Sequence, residues 1–107
     1  MERRMIVQIV KVTSGLPDAE VRATIAERAP QFRALSGLLQ KYYTRERETG
    51  EYVGIYVWDG EESLHEFRES DLARTIPAAY RVEGAPQTAI LDVISLLRAE
   101  EGESPRL

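Results

Sequence analysis

Residues 52–58 read Tyr52-Val53-Gly54-Ile55-Tyr56-Val57-Trp58, the most strand-like run in the chain. It is built from β-branched and aromatic residues, which suit a pleated, buried surface. Val53, Ile55 and Val57 take one parity and Tyr52, Tyr56 and Trp58 the other, so both faces of the strand are apolar. Asp59-Gly60 ends the run, and residues 61–70 read as a helix, acidic at its start, with Leu64 and Phe67 on one face. Immediately upstream, residues 46–51 form a charged hairpin tip, and residues 38–45 form the preceding strand, with Tyr42 and Tyr43 on opposite faces.

Residues 5–13 are a first strand, again apolar on both parities, with Ile6, Gln8, Val10 and Val12 on one side and Met5, Val7 and Ile9 on the other. Residues 14–18 turn into a helix that Asp18 is placed to cap. Val21, Ile25, Ala29, Phe32 and Leu35 follow helical spacing, Pro30 is expected to kink or restart the helix, and Ser36-Gly37 ends it. After the second helix, residues 71–76 suggest a short helical turn stopped by Pro77, residues 82–86 a loop, and residues 87–96 a fourth strand. Residues 99–107 make a polar tail. The element order β-α-β-β-α-β defines an α+β, ferredoxin-like antiparallel sheet with both helices on one face.

Two helices cover one side of four strands, yet strands one, three and four are apolar on both sides. Leaving the second face wet forfeits roughly 1.5–3 kcal/mol for each large side chain that burial would cover, and exposes an apolar patch larger than monomers usually carry. The simplest cover is a second copy, a homodimer joined through the sheet face as a dimeric α/β barrel; the alternative is that long loops and the tail fold over it.

At 107 residues the chain fits one domain, placed at residues 1–98 with the tail at 99–107. A formal net charge of −4, with 30% charged residues of mixed sign, gives no electrostatic footprint for nucleic acid. No apolar run is long enough to span a bilayer, so no membrane partner is expected. Gln8 and Lys11 interrupt the N-terminal apolar run and no small-residue cleavage site follows, so a strand is expected there in place of a leader. The absence of cysteine removes disulfides, thiol nucleophiles and thiolate metal sites, and makes cytoplasmic residence the default expectation.

The segments Gly37-Leu38-Leu39-Gln40-Lys41-Tyr42-Tyr43 and VGIYVWDGEESLHEFRES (residues 53–70) together resemble the YdhR-like monooxygenases. That family lies within the dimeric α/β-barrel superfamily that includes the antibiotic-biosynthesis monooxygenases. The resemblance implies a homodimer, no cofactor, and a phenolic or hydroquinone-like substrate that is deprotonated in a dry pocket and passes an electron to O₂. Such chemistry needs a proton acceptor, a hydrogen bond to the resulting anion, and exclusion of water. Trp58 matches the tryptophan at the end of strand three in the best-known members; Gly54 and Leu64 stand where those members carry Asn and Tyr. Tyr56, on the same parity as Gly54 and Trp58, offers a phenol in their place. Haem-degrading relatives need a helix histidine and a strand-one asparagine, for which His65 and Gln8 are the only approximations, and His65 should point away from the core.

The candidate site is therefore Trp58 and Tyr56 as catalytic groups, with Gln8, Lys41 and Tyr43 binding substrate, and no metal. Each has a plainer reading. Trp58 and Tyr56 also suit a core; Lys41 can snorkel to solvent at a sheet edge; Gln8 either lines a pocket or bonds a neighbouring polar side chain. The function expected is cofactor-independent oxygenation of a small aromatic or polycyclic molecule. The alternative is a non-catalytic module that binds or senses a small molecule on the same scaffold.

Overall fold

A computed structural model describes residues 4–98, so the tail expected at 99–107 lies outside the described residues. The elements are β1 (Ile6–Ser14), α1 (Asp18–Arg33), β2 (Leu38–Arg45), β3 (Tyr52–Trp58), α2 (Glu61–Arg68), α3 (Asp71–Arg74), α4 (Ile76–Ala79) and β4 (Val82–Asp92). The strands form one antiparallel sheet in the order β2-β3-β1-β4, the ferredoxin-like α+β arrangement.

Register assigns the two faces. Ile6, Gln8 and Val10 of β1 pair with Trp58, Tyr56 and Gly54 of β3, and directly paired residues share a face. This face meets the helices: Ile6, Tyr56 and Trp58 bury with Phe32 of α1 and Leu64 and Phe67 of α2 into one cluster. The opposite face carries Val7 and Ile9 of β1 paired with Val57 and Ile55 of β3, and Leu91 and Ala89 of β4. No helix among the described residues covers it, and Leu91 is left 46% exposed.

Several boundaries differ from the sequence reading. Pro30 does not restart α1, which runs through it to Arg33; the proline sacrifices its own backbone bond, while Phe32, buried in the core, anchors the last turn. Asp18 is the first residue inside α1, not its cap, which is Pro17. The Asp18 carboxylate instead accepts hydrogen bonds from the Tyr52 hydroxyl at 2.6 Å and Arg22 Nε at 2.7 Å. Pro77 does not end a turn but sits in the first turn of α4, where a missing N–H costs nothing.

β4 starts at Val82, earlier than expected, because the ladder with β1 is interrupted by a register shift between Lys11 and Thr13. Pro86 lies in that irregular stretch of an edge strand, the position where a sheet tolerates proline. The strand stops at Asp92, the partner of Ile6, because β1 goes no further. Ile94, expected in the strand, lies beyond it and is 97% exposed.

Candidate functional site

Between the helix-facing side of the sheet, α1 and α4 lies a cleft that is open to solvent and has a cavity volume of about 70 Å³. Val10 and Val12 of β1 and Val21 and Ile25 of α1 make its aliphatic walls; Lys41, Tyr43, Tyr56 and Tyr80 bring polar groups to it, and Ser14, Thr44 and Tyr52 complete its polar lining. No carboxylate lines it. Among the described residues no group of three or more His, Asp or Glu side chains could hold a metal ion.

Lys41 enters the cleft because β2 is irregular. Leu38 pairs with Trp58, but Gln40 pairs with Val57 and Lys41 with Tyr56, so Leu39 is an extra residue in the ladder. An unbroken register would put Gln40 opposite Tyr56 and turn Lys41 to the outer face; the bulge re-aims it inward. Its Nζ lies 3.6 Å from the centroid of the Phe32 ring, 4.3 Å from that of Tyr43 and 4.4 Å from that of Tyr56. The side chain does not snorkel to water. Burial, reinforced by the Arg28 guanidinium, brings its ammonium down from 10.5 to about 7.

The phenols move the other way. Burial holds Tyr56 well above the ordinary tyrosine range, with Tyr43 and Tyr80 adding to the effect and Arg28 opposing it. Burial likewise pushes Tyr80 up to about 12 and raises Tyr43, against the pull of Arg28 and Arg33. At neutral pH all three hydroxyls are therefore protonated and able to donate.

Gly54 is what lets the Tyr56 ring lie along its own strand. A Cβ there would come within 3.2 Å of Tyr56 Cε1 and 3.8 Å of its hydroxyl. The Tyr56 phenol thus fills the space that a side chain at position 54 would occupy.

Trp58 and Gln8 lie behind Tyr56, not on the cleft wall. The Trp58 indole is 1% exposed and stacks on Tyr56 at 5.9 Å with 6° between the planes. Trp58 Nε1 donates to Gln8 Oε1 at 3.0 Å, so each buried polar group satisfies the other. Of the five sequence candidates, Lys41, Tyr43 and Tyr56 converge on the cleft, and Trp58 and Gln8 support them from the core. His65 is exposed and pairs with Glu69 at 3.3 Å.

Sequence reasoning missed Tyr80, Arg28 and the part Phe32 plays. Tyr80 is brought in by long-range contacts: its carbonyl accepts from Ser14 Oγ at 2.6 Å, and Gly15 N donates to Arg81 O at 2.8 Å. Arg28 did leave a signal, since it precedes Phe32 by four residues and so shares its helix face. Its guanidinium donates to Leu72 O at 2.8 Å and Thr75 Oγ1 at 3.1 Å, tying α1 to the α3–α4 segment.

The chain shares its fold with several solved structures. It is similar in structure to a "putative antibiotic biosynthesis monooxygenase" from Caulobacter crescentus (TM-score 0.73, 21% identity, covering 87% of this chain and 92% of that one). It is also similar to SnoaB, a cofactor-independent oxygenase from Streptomyces nogalater (TM-score 0.72, 18% identity, 90% and 99% covered). A third similar structure is Rv0793 from Mycobacterium tuberculosis (TM-score 0.70, 17% identity, 88% and 99% covered). At these identities the likeness concerns the fold. Residues 6–84 match the family model described as "Putative mono-oxygenase ydhR", and the chain belongs to that family. Curated proteins offer no match.

Proposed function

We propose that this protein is a cofactor-independent oxygenase acting on a small aromatic hydroxy compound in the cleft between sheet and helices. The observation that carries the reading is the make-up of the cleft: apolar walls, one amine and four tyrosines, with no carboxylate among the described lining residues. The Tyr52 hydroxyl is given to Asp18, which leaves the protonated phenols of Tyr43, Tyr56 and Tyr80. Such a lining offers hydrogen-bond donors, set among apolar walls, to an oxygen on which negative charge develops. Tyr56 is the donor to that oxygen, with Tyr43 orienting the ring beside it. Trp58, stacked behind Tyr56 and fixed by Gln8, holds the donor in place. The electron-rich anion then passes an electron to O₂, the substrate itself acting as reductant. A volume of about 70 Å³ is small beside the roughly 300–1,000 Å³ of ligand pockets, so a single ring is the natural fit. Polycyclic substrates would require the Ile76–Tyr80 wall to yield.

The same proposal includes a homodimer joined across the outer sheet face, where Val7, Ile9, Ile55 and Val57 lack a covering helix, and a cytoplasmic protein of one domain. No helix among the described residues is long and apolar enough to cross a membrane.

The test is oxygen consumption with a panel of one- and two-ring hydroquinones, measured against protein-free blanks. Turnover above the blank is expected, and Tyr56→Phe should lower it by about 10²-fold, the usual effect of losing one donor to a developing oxyanion. No turnover by the native protein ends the oxygenase reading. Gly54 and Leu64, at positions where the resemblance calls for Asn and Tyr, favour a non-catalytic binding module as the second reading. Thermal stabilisation by phenols without oxygen uptake would establish it.

A further inference from the structure

The feature of the cleft that core packing does not require is an amine enclosed by rings. Lys41 is the only cation among the residues that line the cleft, and the β2 bulge spends an extra residue to aim it there. Among the described residues it forms no ion pair. Its surroundings are Phe32 of α1, Tyr43 of its own strand and Tyr56 of β3. The charged and titratable groups acting on the site are Arg28 and Arg33 from α1, Tyr43, Tyr56, and Tyr80 after α4. Every permanent charge in that set is positive.

Ring faces favour a cation, but they do not replace the water an ammonium gives up. A second cation, Arg28, opposes protonation further. The site therefore suits a neutral amine until an anion arrives, and an anion there would meet the Lys41 ammonium and the hydroxyls of Tyr43, Tyr56 and Tyr80, with the Arg28 charge acting from behind the lining.

We propose that Lys41 is the proton acceptor of the cleft, taking the hydroxyl proton of a bound phenol or enol, so that the anion formed is held by the new ammonium, by Arg28 and by the Tyr56 hydroxyl. In this step the substrate O–H bond breaks, its electron pair stays on oxygen, and the proton forms a new N–H bond at Nζ. Nothing is oxidised or reduced. The inference rests on the proposed phenolic substrate but not on the reaction with O₂. A Lys41 pKa of about 7 fits the role, since an acceptor works best when its pKa is near the working pH.

The test uses 3-nitrophenol near pH 7.5, where the free phenol is mostly neutral and its anion absorbs in the visible. The native protein should bind it as phenolate, its apparent ionisation shifted down by about 1–3 pH units, with little net proton release because the proton stays on Lys41. Lys41→Met should bind it as the neutral phenol. Lys41→Arg, charged but unable to accept a proton, should bind phenolate while releasing close to one proton to the buffer. Thermal melting of each variant confirms that it is folded.

No binding, neutral phenol bound to the native protein, or phenolate retained by Lys41→Met overturns the proposal. A native protein that ionises the probe yet consumes no oxygen with hydroquinones keeps Lys41 as acceptor and ends the oxygenase reading. Oxygen uptake that survives unchanged in Lys41→Met does the reverse.

Discussion

An ammonium that is harder to hold in the folded chain than in the unfolded one ties stability to pH. Folding takes Lys41 from 10.5 to about 7. Below about 7 both states carry the proton and the folded state bears the cost of burying it. Between about 7 and 10.5 the unfolded chain binds the extra proton, so stability rises with pH. Further up, the raised phenols of Tyr43, Tyr56 and Tyr80 reverse the slope, since the unfolded chain then ionises first. The urea midpoint should therefore climb from pH 7 to about pH 9.5. Lys41→Met should flatten that climb and exceed the native protein at pH 6; an unchanged slope in the variant would contradict the assignment. At Gln8 the expected loss is structural. Gln8→Leu leaves the buried Trp58 Nε1 without an acceptor, at a cost of about 1–3 kcal/mol read from urea unfolding. That a lone amide in an apolar strand needs a partner or a pocket was legible at Gln8; that its partner is the Trp58 indole was not, because the two lie 50 positions apart. The sequence marks Lys41 as a substrate contact, beside the plainer reading that it snorkels; what was not legible is the bulge that aims it inward, since a ladder irregularity leaves no mark in the alternation of β2. Tyr80 depends on a contact with Ser14 across 66 positions, which no local pattern encodes.

At the scale of elements, the strands and both main helices followed from periodicity, while their ends followed from neighbours. Pro86 looked like loop because a central strand would exclude it; on an edge strand with a shifted ladder it fits. Pro30 looked like a break because helix propensity ignores the burial of Phe32 that holds the last turn down. The α1–β2 connection has a sharper requirement. Gly37 is buried against the start of α2, and a Cβ there would overlap Cβ and Oγ of Ser63. Gly37 O also accepts from Asp59 N at 2.9 Å, so the backbone cannot back away without losing a bond. Gly37→Ala should cost about 1–3 kcal/mol, as overpacking does, and Gly37→Ala with Ser63→Gly should recover part of it. No recovery would mean that the strain lies in the backbone and not in that contact.

For the molecule as a whole, the outer sheet face decides the state of assembly. Val7 and Ile9 lie beside Val57 and Ile55 there, and Ile94 and Leu97 stand 97% and 94% exposed just past β4. Light scattering at micromolar concentration should report twice the chain mass. Ile9→Lys, at the centre of that face, should give the single-chain mass with the helix-side core intact by circular dichroism. A native protein that stays at the single-chain mass would remove the dimer from the proposal. The two-sided apolar pattern made this face visible from sequence alone, because alternation along a strand can be read without knowing its neighbours.

Leu39 carries a consequence of its own. Because it is the surplus member of the β2 ladder, deleting it would restore regular pairing and leave Lys41 opposite Tyr56, whereas a ladder that kept it and closed the bulge would swing Lys41 to the outside and bring Gln40 opposite Tyr56. A relative of the same length with an unbroken ladder could share the fold and nearly every side chain, yet present an amide where this protein presents an amine. Chemical character at this spot would then be set by the register of the strand, so aligned identity alone would be a poor guide to which relatives share a reaction.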